Sequence, residues 1–226
     1  MINPIGIILT IGLYKTAEFL RKYPILKKFP ALLIAGIALI IILKVFNIDY
    51  ETYHESASYL TLLLIPATIS LGYPLYKNAH MLVMHKRIIY PAFIFATICA
   101  ILTTYITARI CHTDLHVIVS ILPKSVTAPI AIEISKSLGG IPELTAGVVV
   151  LTGVFGAILG HKILKLIKIK NNLAIGLSIG ATSHVLGTST CIEKGIEKQV
   201  VMSTLALVIV GVLTAIITPI FIKILY

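Results

Sequence analysis

Apolar residues along this chain fall into eight blocks, at about 4–20, 30–47, 57–77, 88–110, 115–137, 142–161, 172–191 and 199–223. The stretches 56–76, 88–108, 171–192 and 199–222 hold no Asp, Glu, Lys or Arg, and each exceeds twenty residues. A helix needs about 20 apolar residues to span the hydrocarbon. Only helices and closed barrels satisfy their backbone there, and the ten-residue alternating segments of a barrel are absent. The pattern predicts an all-α polytopic protein, multi-pass in the cell membrane, occupying residues 1–226 as a single transmembrane domain.

Pro30, Pro91 and Pro142 stand where blocks begin, a position a helix tolerates, whereas Pro66, Pro74, Pro123, Pro129 and Gly139-Gly140 interrupt them. Two short matches recur in order. Pro30-Ala-Leu-Leu-Ile-Ala-Gly and Pro142-Glu-Leu-Thr-Ala-Gly lie 112 positions apart, and Ile65-Pro-Ala-Thr and Ile179-Gly-Ala-Thr lie 114 apart. They predict two repeats of about four segments each, at about 1–113 and 114–226.

Charge adds direction. Of the 19 Lys and Arg, 12 cluster in 15–28, 77–87 and 162–170, all between apolar blocks. This is the positive-inside pattern and places those loops in the cytoplasm, with the loop holding Asp49, Glu51 and Glu55 outside. The charge bias reverses between the halves, so the repeats are expected to be inverted. Two inverted units of four crossings join only if one segment does not cross. Block five, with Pro123 and Pro129 at its turn, is expected to dip in and return, lining a cavity. A net charge of +10 in loops, with no contiguous basic face, argues against nucleic acid. The hydrophobic fraction of 58% and mean hydropathy of +1.00 agree with the membrane reading.

Within the apolar blocks stand Lys124, Glu133 and His184, each costing about 2.5–3.5 kcal/mol at membrane depth on insertion scales. Such groups persist where they face a cavity, a partner or a substrate path. In block five, Ser125 and Thr127 precede a short helix from about Pro129 to Ser137. Hydroxyls and free N–H groups at a helix start, with Lys124 beside them, form a site for a small carboxylate. A snorkelling lysine on a capped helix is the plainer alternative. In block seven, Gly176, Gly180 and Gly187 loosen the helix, and Thr182, Ser183, His184, Thr188, Ser189 and Thr190 supply donors and acceptors. These side chains serve either a substrate or helix–helix hydrogen bonding, and His184 is a candidate proton carrier. Block three, with Thr68, Ser70 and Tyr73 near its prolines, is the expected symmetry partner of block seven.

Other chemistries find no footing. There is no His-Glu-x-x-His, Gly-x-Ser-x-Gly or phosphate-loop pattern, so no enzyme, cofactor or metal is expected. Cys99, Cys111 and Cys191 are too scattered for a zinc site. The N-terminus lacks a basic n-region and a small-residue cleavage site, so its first block is expected to be a retained span. Tyrosines near block ends match an interfacial belt.

Two strings carry a family likeness. Lys124-Ser-Val-Thr-Ala-Pro-Ile-Ala-Ile-Glu133, followed by Leu138-Gly-Gly-Ile-Pro142, resembles the first signature of the LrgB/CidB family, which includes YohK-like bacterial proteins. Thr182-Ser-His-Val-Leu-Gly-Thr188, followed by Glu193 and Gly195, resembles the second. The chain departs from the family pattern at Ala128, where a second Thr is common, and at Val185, where Gly is usual. Thr190 stands where many relatives carry a basic residue, so no second substrate-binding cation is expected there. The resemblance implies an antiholin- or holin-like auxiliary of murein hydrolase export and cell lysis, working beside a small LrgA/CidA-type membrane protein. It equally implies a carrier, because a plastid relative exports glycolate and glycerate and bacterial relatives are tied to pyruvate uptake. With the broken blocks, it favours an alternating-access carrier for a small organic anion of the glycolate, glycerate, lactate or pyruvate class. Substrate contacts are expected from Lys124, Ser125, Thr127, Pro129, Glu133, Thr182, Ser183, His184, Gly187, Thr188 and Thr68. Proton coupling and a homodimer are left open.

Overall fold

The computed structural model describes residues 5–70, 72–84 and 86–225, without the side chains of Lys28, Leu64 and Ile65. Residues 1–4 of the expected first span, and the Ile65 side chain of the second repeat match, lie outside the described part. The chain forms two compact units, 1–69 and 70–226.

The first unit holds α1 (Ile5–Leu20), a 3-10 turn (Leu26–Lys28), α2 (Ala31–Val45), α3 (Tyr50–Thr61) and α4 (Leu64–Ser70). Small residues set its packing: a Cβ on Gly6 would strike the Ser56 side chain and the Ala57 backbone, so α1 and α3 touch closely there. Thr10 Oγ1 and the Tyr53 hydroxyl lie 2.7 Å apart across the same contact. Ala17, Ala31 and Ala35 pack α1 against α2. The acidic loop expected before block three is shorter than its charges implied. Glu51 and Glu55 lie on α3, which Asp49 precedes in extended conformation. Acidic side chains in the first turns of a helix meet its positive end, so the charge there starts the helix early.

The second unit holds α5 (Gly72–Lys77), α6 (Ala79–Met84), α7 (Lys86–Ile110), α8 (Leu115–Ile121), α9 (Ala128–Ser137), α10 (Pro142–Leu166), α11 (Asn172–Lys194) and α12 (Glu197–Leu225). Pro66 and Pro74 each occupy the third residue of a short helix, α4 and α5. The breaks in block three therefore come before its prolines, where a first-turn residue has no N–H bond to lose. Pro91 does not start its helix; it lies inside α7, whose first turn reaches back to Lys86. Among the described residues, four stretches are long and apolar enough to cross a bilayer: Tyr50–Lys77, Lys86–Ile110, Pro142–Leu166 and Glu197–Leu225. With the family shown below, they make this a multi-pass membrane protein.

Block five is a hairpin. At its open end the His116 Nδ1–H donates to the Gly139 carbonyl at 2.8 Å, and the Ile141 N–H donates to Ser120 Oγ at 2.7 Å. The start of α8 and the end of α9 are therefore neighbours, and the segment enters and leaves by one face.

Block seven, expected to cross, is also a hairpin. The helical backbone breaks at His184, which has φ 41° and ψ −134°. A Cβ on Gly187 would meet Ser183 and Ile179, so the return arm folds onto the entry arm. Gly176 faces Gln199 and Gly180 faces the Ser203 backbone, which makes the entry arm run parallel to α12. A single crossing would have made them antiparallel. The arms, 172–183 and 185–194, reach about 18 and 15 Å at about 1.5 Å per residue. Either is close to half of a hydrocarbon core of about 30 Å.

Candidate functional site at two hairpin tips

The first tip exists because Pro123 cannot donate the N–H that would continue α8 toward the Val119 carbonyl. The chain stays irregular until Thr127, extended at φ −65° and ψ 147°, starts α9 with Pro129 in its opening turn. Gly139, at φ 76°, ends α9, where the Gly140 N–H donates to the Ser135 carbonyl at 2.8 Å.

The second tip turns on His184. A side chain other than glycine in such a backbone region costs about 1–3 kcal/mol and needs surrounding structure to hold it. The His184 Nε2–H donates to the Val149 carbonyl of α10 at 3.0 Å. Gly153 and Gly156 let the tip press onto that helix, since a Cβ on the first would meet the His184 ring and on the second the Ser183 side chain. Gly153 is the twelfth of 25 residues in α10, so this tip lies halfway along that helix.

Both tips reach one cavity of about 700 Å³, within the range of small-molecule sites. Lys124 and Ser125 enter it from the first tip, Thr182 and Ser183 from the second. The α8–α9 hairpin departs from the end of the unit where α7 stops and α10 starts. The α11 hairpin departs from the end where α10 stops and α12 starts. The two therefore approach from opposite faces. The second arm of each begins at its tip, so a helix start, with its positive character and free N–H groups, lies at each tip. No acidic side chain among the described residues pairs with Lys124; the described ion pairs are Lys15–Glu18 and Lys136–Glu133.

The expected site residues divide. Lys124, Ser125, Thr182 and Ser183 come together on the cavity, with the Thr182 and Ser183 hydroxyls 3.1 Å apart. Thr127 is buried behind them, and its Oγ1 has no hydrogen-bond partner among the described residues. Pro129 is half-buried in the first turn of α9. His184 is turned into α10 and Gly187 into its own hairpin. The buried Thr188 donates to the Ser203 carbonyl of α12 at 3.4 Å and does not line the cavity. Glu133 is 74% exposed and 3.4 Å from Lys136 Nζ. Thr68 is half-buried in the first unit. Thr103, Thr152 and Ser178 also line the cavity, and the sequence reading did not single them out.

The LrgB-like family matches residues 10–224. The chain belongs to the LrgB-like family. This LrgB-like chain is 33% identical over 219 residues to the antiholin-like protein LrgB of Bacillus subtilis (strain 168), covering 96% of the chain and 94% of that protein. The antiholin-like protein LrgB of Bacillus mycoides (strain KBAB4) is 36% identical over 193 residues, covering 85% and 84%. YxaC of Bacillus subtilis (strain 168) is 34% identical over 218 residues, covering 94% of each. No solved structure matches the LrgB-like chain.

Proposed function

We propose that this chain is an antiholin-like membrane protein that modulates a small LrgA/CidA-type pore former, and through it murein hydrolase export and lysis. The observation that carries this reading is the near full-length similarity to proteins named antiholin-like LrgB. The test is dye leakage from vesicles holding an LrgA/CidA-type protein, with and without this chain. Leakage that changes with its addition supports the role. Unchanged leakage at every ratio removes it.

A second reading is favoured by the cavity: an alternating-access carrier of small monocarboxylates. Lys124 without a carboxylate partner, the hydroxyls of Ser125, Thr182 and Ser183, and two helix starts at the tips are groups that recognise a small anion. Thr127, next to this tip, is buried with its hydroxyl unpartnered among the described residues. The inverted four-segment repeats at about 1–113 and 114–226 belong to this reading, as does cytoplasmic placement of the basic loops. Neither reading gives the chain a catalytic step. Uptake of labelled glycolate, lactate and pyruvate into proteoliposomes holding this chain alone tests the carrier. Saturable uptake supports it, and none under any gradient refutes it.

A further inference from the structure

Helices α7 and α10 are both 25 residues long, and the hairpins that follow, 115–137 and 172–194, are both 23. The helices start 56 positions apart, the hairpins 57, and their second arms, at 128 and 185, again 57. Packing follows the same offset. Ala108, Ile118 and Leu122 cluster at one hairpin, and their counterparts Leu164, Ile175 and Ile179 cluster at the other. On the cavity wall, Ala96 and Ala100 correspond to Thr152 and Gly156, and Lys124 and Ser125 to Ala181 and Thr182.

Within the second unit, the two span-and-hairpin copies run oppositely. Tyr105 of α7 stacks edge-on against Phe221 of α12, with centroids 5.3 Å apart, so both helices end together. His161, near the end of α10, lies 3.2 Å from Gln199 at the start of α12. Hence α7 and α10 are antiparallel, and each span with its hairpin is an inverted copy of the other.

The cavity breaks this symmetry. From the tips it runs mainly toward the end carrying Lys86, Arg87 and the 162–170 lysines, past Ala92, Gly160, Leu164 and Leu177; on the opposite half it reaches Thr103 of α7 but none of the counterparts of those four. The counterparts of those four residues are Val148, Thr104, Ala108 and Ser120, on the opposite half. There Thr104, Ala108 and Ser120 are buried, at 5%, 4% and 0% exposure. We propose that the hairpin-tip site has a second access route from the face opposite the basic loops, closed in this structure and lined by Thr104, Ala108, Val148 and Ser120, which opens when the two span-and-hairpin units exchange arrangements. Swapping two inverted copies of one packing gives a second arrangement built from counterpart contacts, and in it the counterpart route is the open one. The inference rests on the carrier reading for its purpose but on the packing for its residues.

The test is labelling by a membrane-impermeant maleimide in proteoliposomes, with Cys99, Cys111 and Cys191 replaced by Ala. Ala108→Cys is probed from the face opposite the basic loops, and Ser178→Cys, on the present cavity, from the basic face. Thr97→Cys, at a fully buried position, sets the background. Ala108→Cys is expected to label at least tenfold faster than background. Prior modification of Ser178→Cys in the double variant is expected to slow it at least tenfold by holding the present route open. Background-rate labelling of Ala108→Cys, or labelling indifferent to Ser178→Cys, overturns the proposal. Carboxylate uptake measured in the same vesicles separates the two claims. Uptake with no labelling of Ala108→Cys keeps the carrier and discards this route. Reciprocal labelling without uptake keeps the route and discards the carrier.

Discussion

At the scale of single residues, Lys124 is the group on which anion recognition would depend in the carrier reading. Charge-assisted hydrogen bonds contribute about 1.5–3 kcal/mol, so Lys124→Gln should weaken binding of a small carboxylate by roughly 10- to 100-fold. Isothermal titration with glycolate, lactate and pyruvate checks this, with Lys136→Gln, which removes only an exposed pair, as the unaffected control. Gly156 has a different task. Its missing Cβ makes room for Ser183, so Gly156→Ala should destabilise the second tip by about 1–3 kcal/mol through overpacking. Thermal unfolding in detergent measures that loss. The residues around Lys124 were legible because an ammonium, two prolines and two hydroxyls fall within seven positions. Thr103 and Thr152 were not, because a single hydroxyl in an apolar span more often bonds its own helix, as Thr152 does to the Val148 carbonyl at 2.8 Å. Glu133 drew attention by its charge, yet an i,i+3 lysine and exposure account for it.

At the scale of elements, the two hairpins differ in what holds their open ends. The α8–α9 pair is closed by two bonds, His116 Nδ1–H to the Gly139 carbonyl and the Ile141 N–H to Ser120 Oγ, and is tied to α10 by Thr145 Oγ1, 2.8 Å from Ser135 Oγ. The α11 pair is closed by a chain of side chains: Thr190 to His161 at 3.3 Å, His161 to Gln199 at 3.2 Å, and the Gln199 amide donating to Asn172 at 2.8 Å. Gln199 is 3% exposed, so Gln199→Leu would leave two neighbours short of partners. It should cost about 1–3 kcal/mol of unfolding free energy. Thr188→Val, which loses only a 3.4 Å contact, should cost clearly less, and chemical denaturation of the two variants compares them. The first hairpin was readable because prolines announce a break. The second was missed because its tip, Ser183-His184-Val185, contains neither glycine nor proline. The reversal is imposed from outside, by the Val149 carbonyl and by the close approach at Gly153 and Gly156, which no local pattern records.

At the scale of the molecule, the second unit carries a period that the sequence pattern did not reveal: a span followed by a hairpin, from α7 and again 56 residues later from α10. The 112-residue offset between Pro30 and Pro142 is a different pairing, which relates the first unit to the second and belongs to the carrier proposal. Block boundaries and helical class were legible because lipid demands long apolar runs. Whether a run crosses or turns back depends on contacts between segments distant in sequence. The antiholin-like and carrier readings both use this architecture and differ in what the cavity serves.

The meeting of two hairpins from opposite faces is the claim on which the site depends, and topology tests it most directly. Lys170→Cys and Ile196→Cys flank the α11 hairpin, and each would be the sole cysteine after replacement of Cys99, Cys111 and Cys191. A membrane-impermeant maleimide applied to one face of sealed vesicles should label both positions from the same face as Lys86→Cys. Gly139→Cys, at the open end of the other hairpin, should label from the opposite one. Labelling of positions 170 and 196 from opposite faces would make α11 a crossing helix and contradict the account.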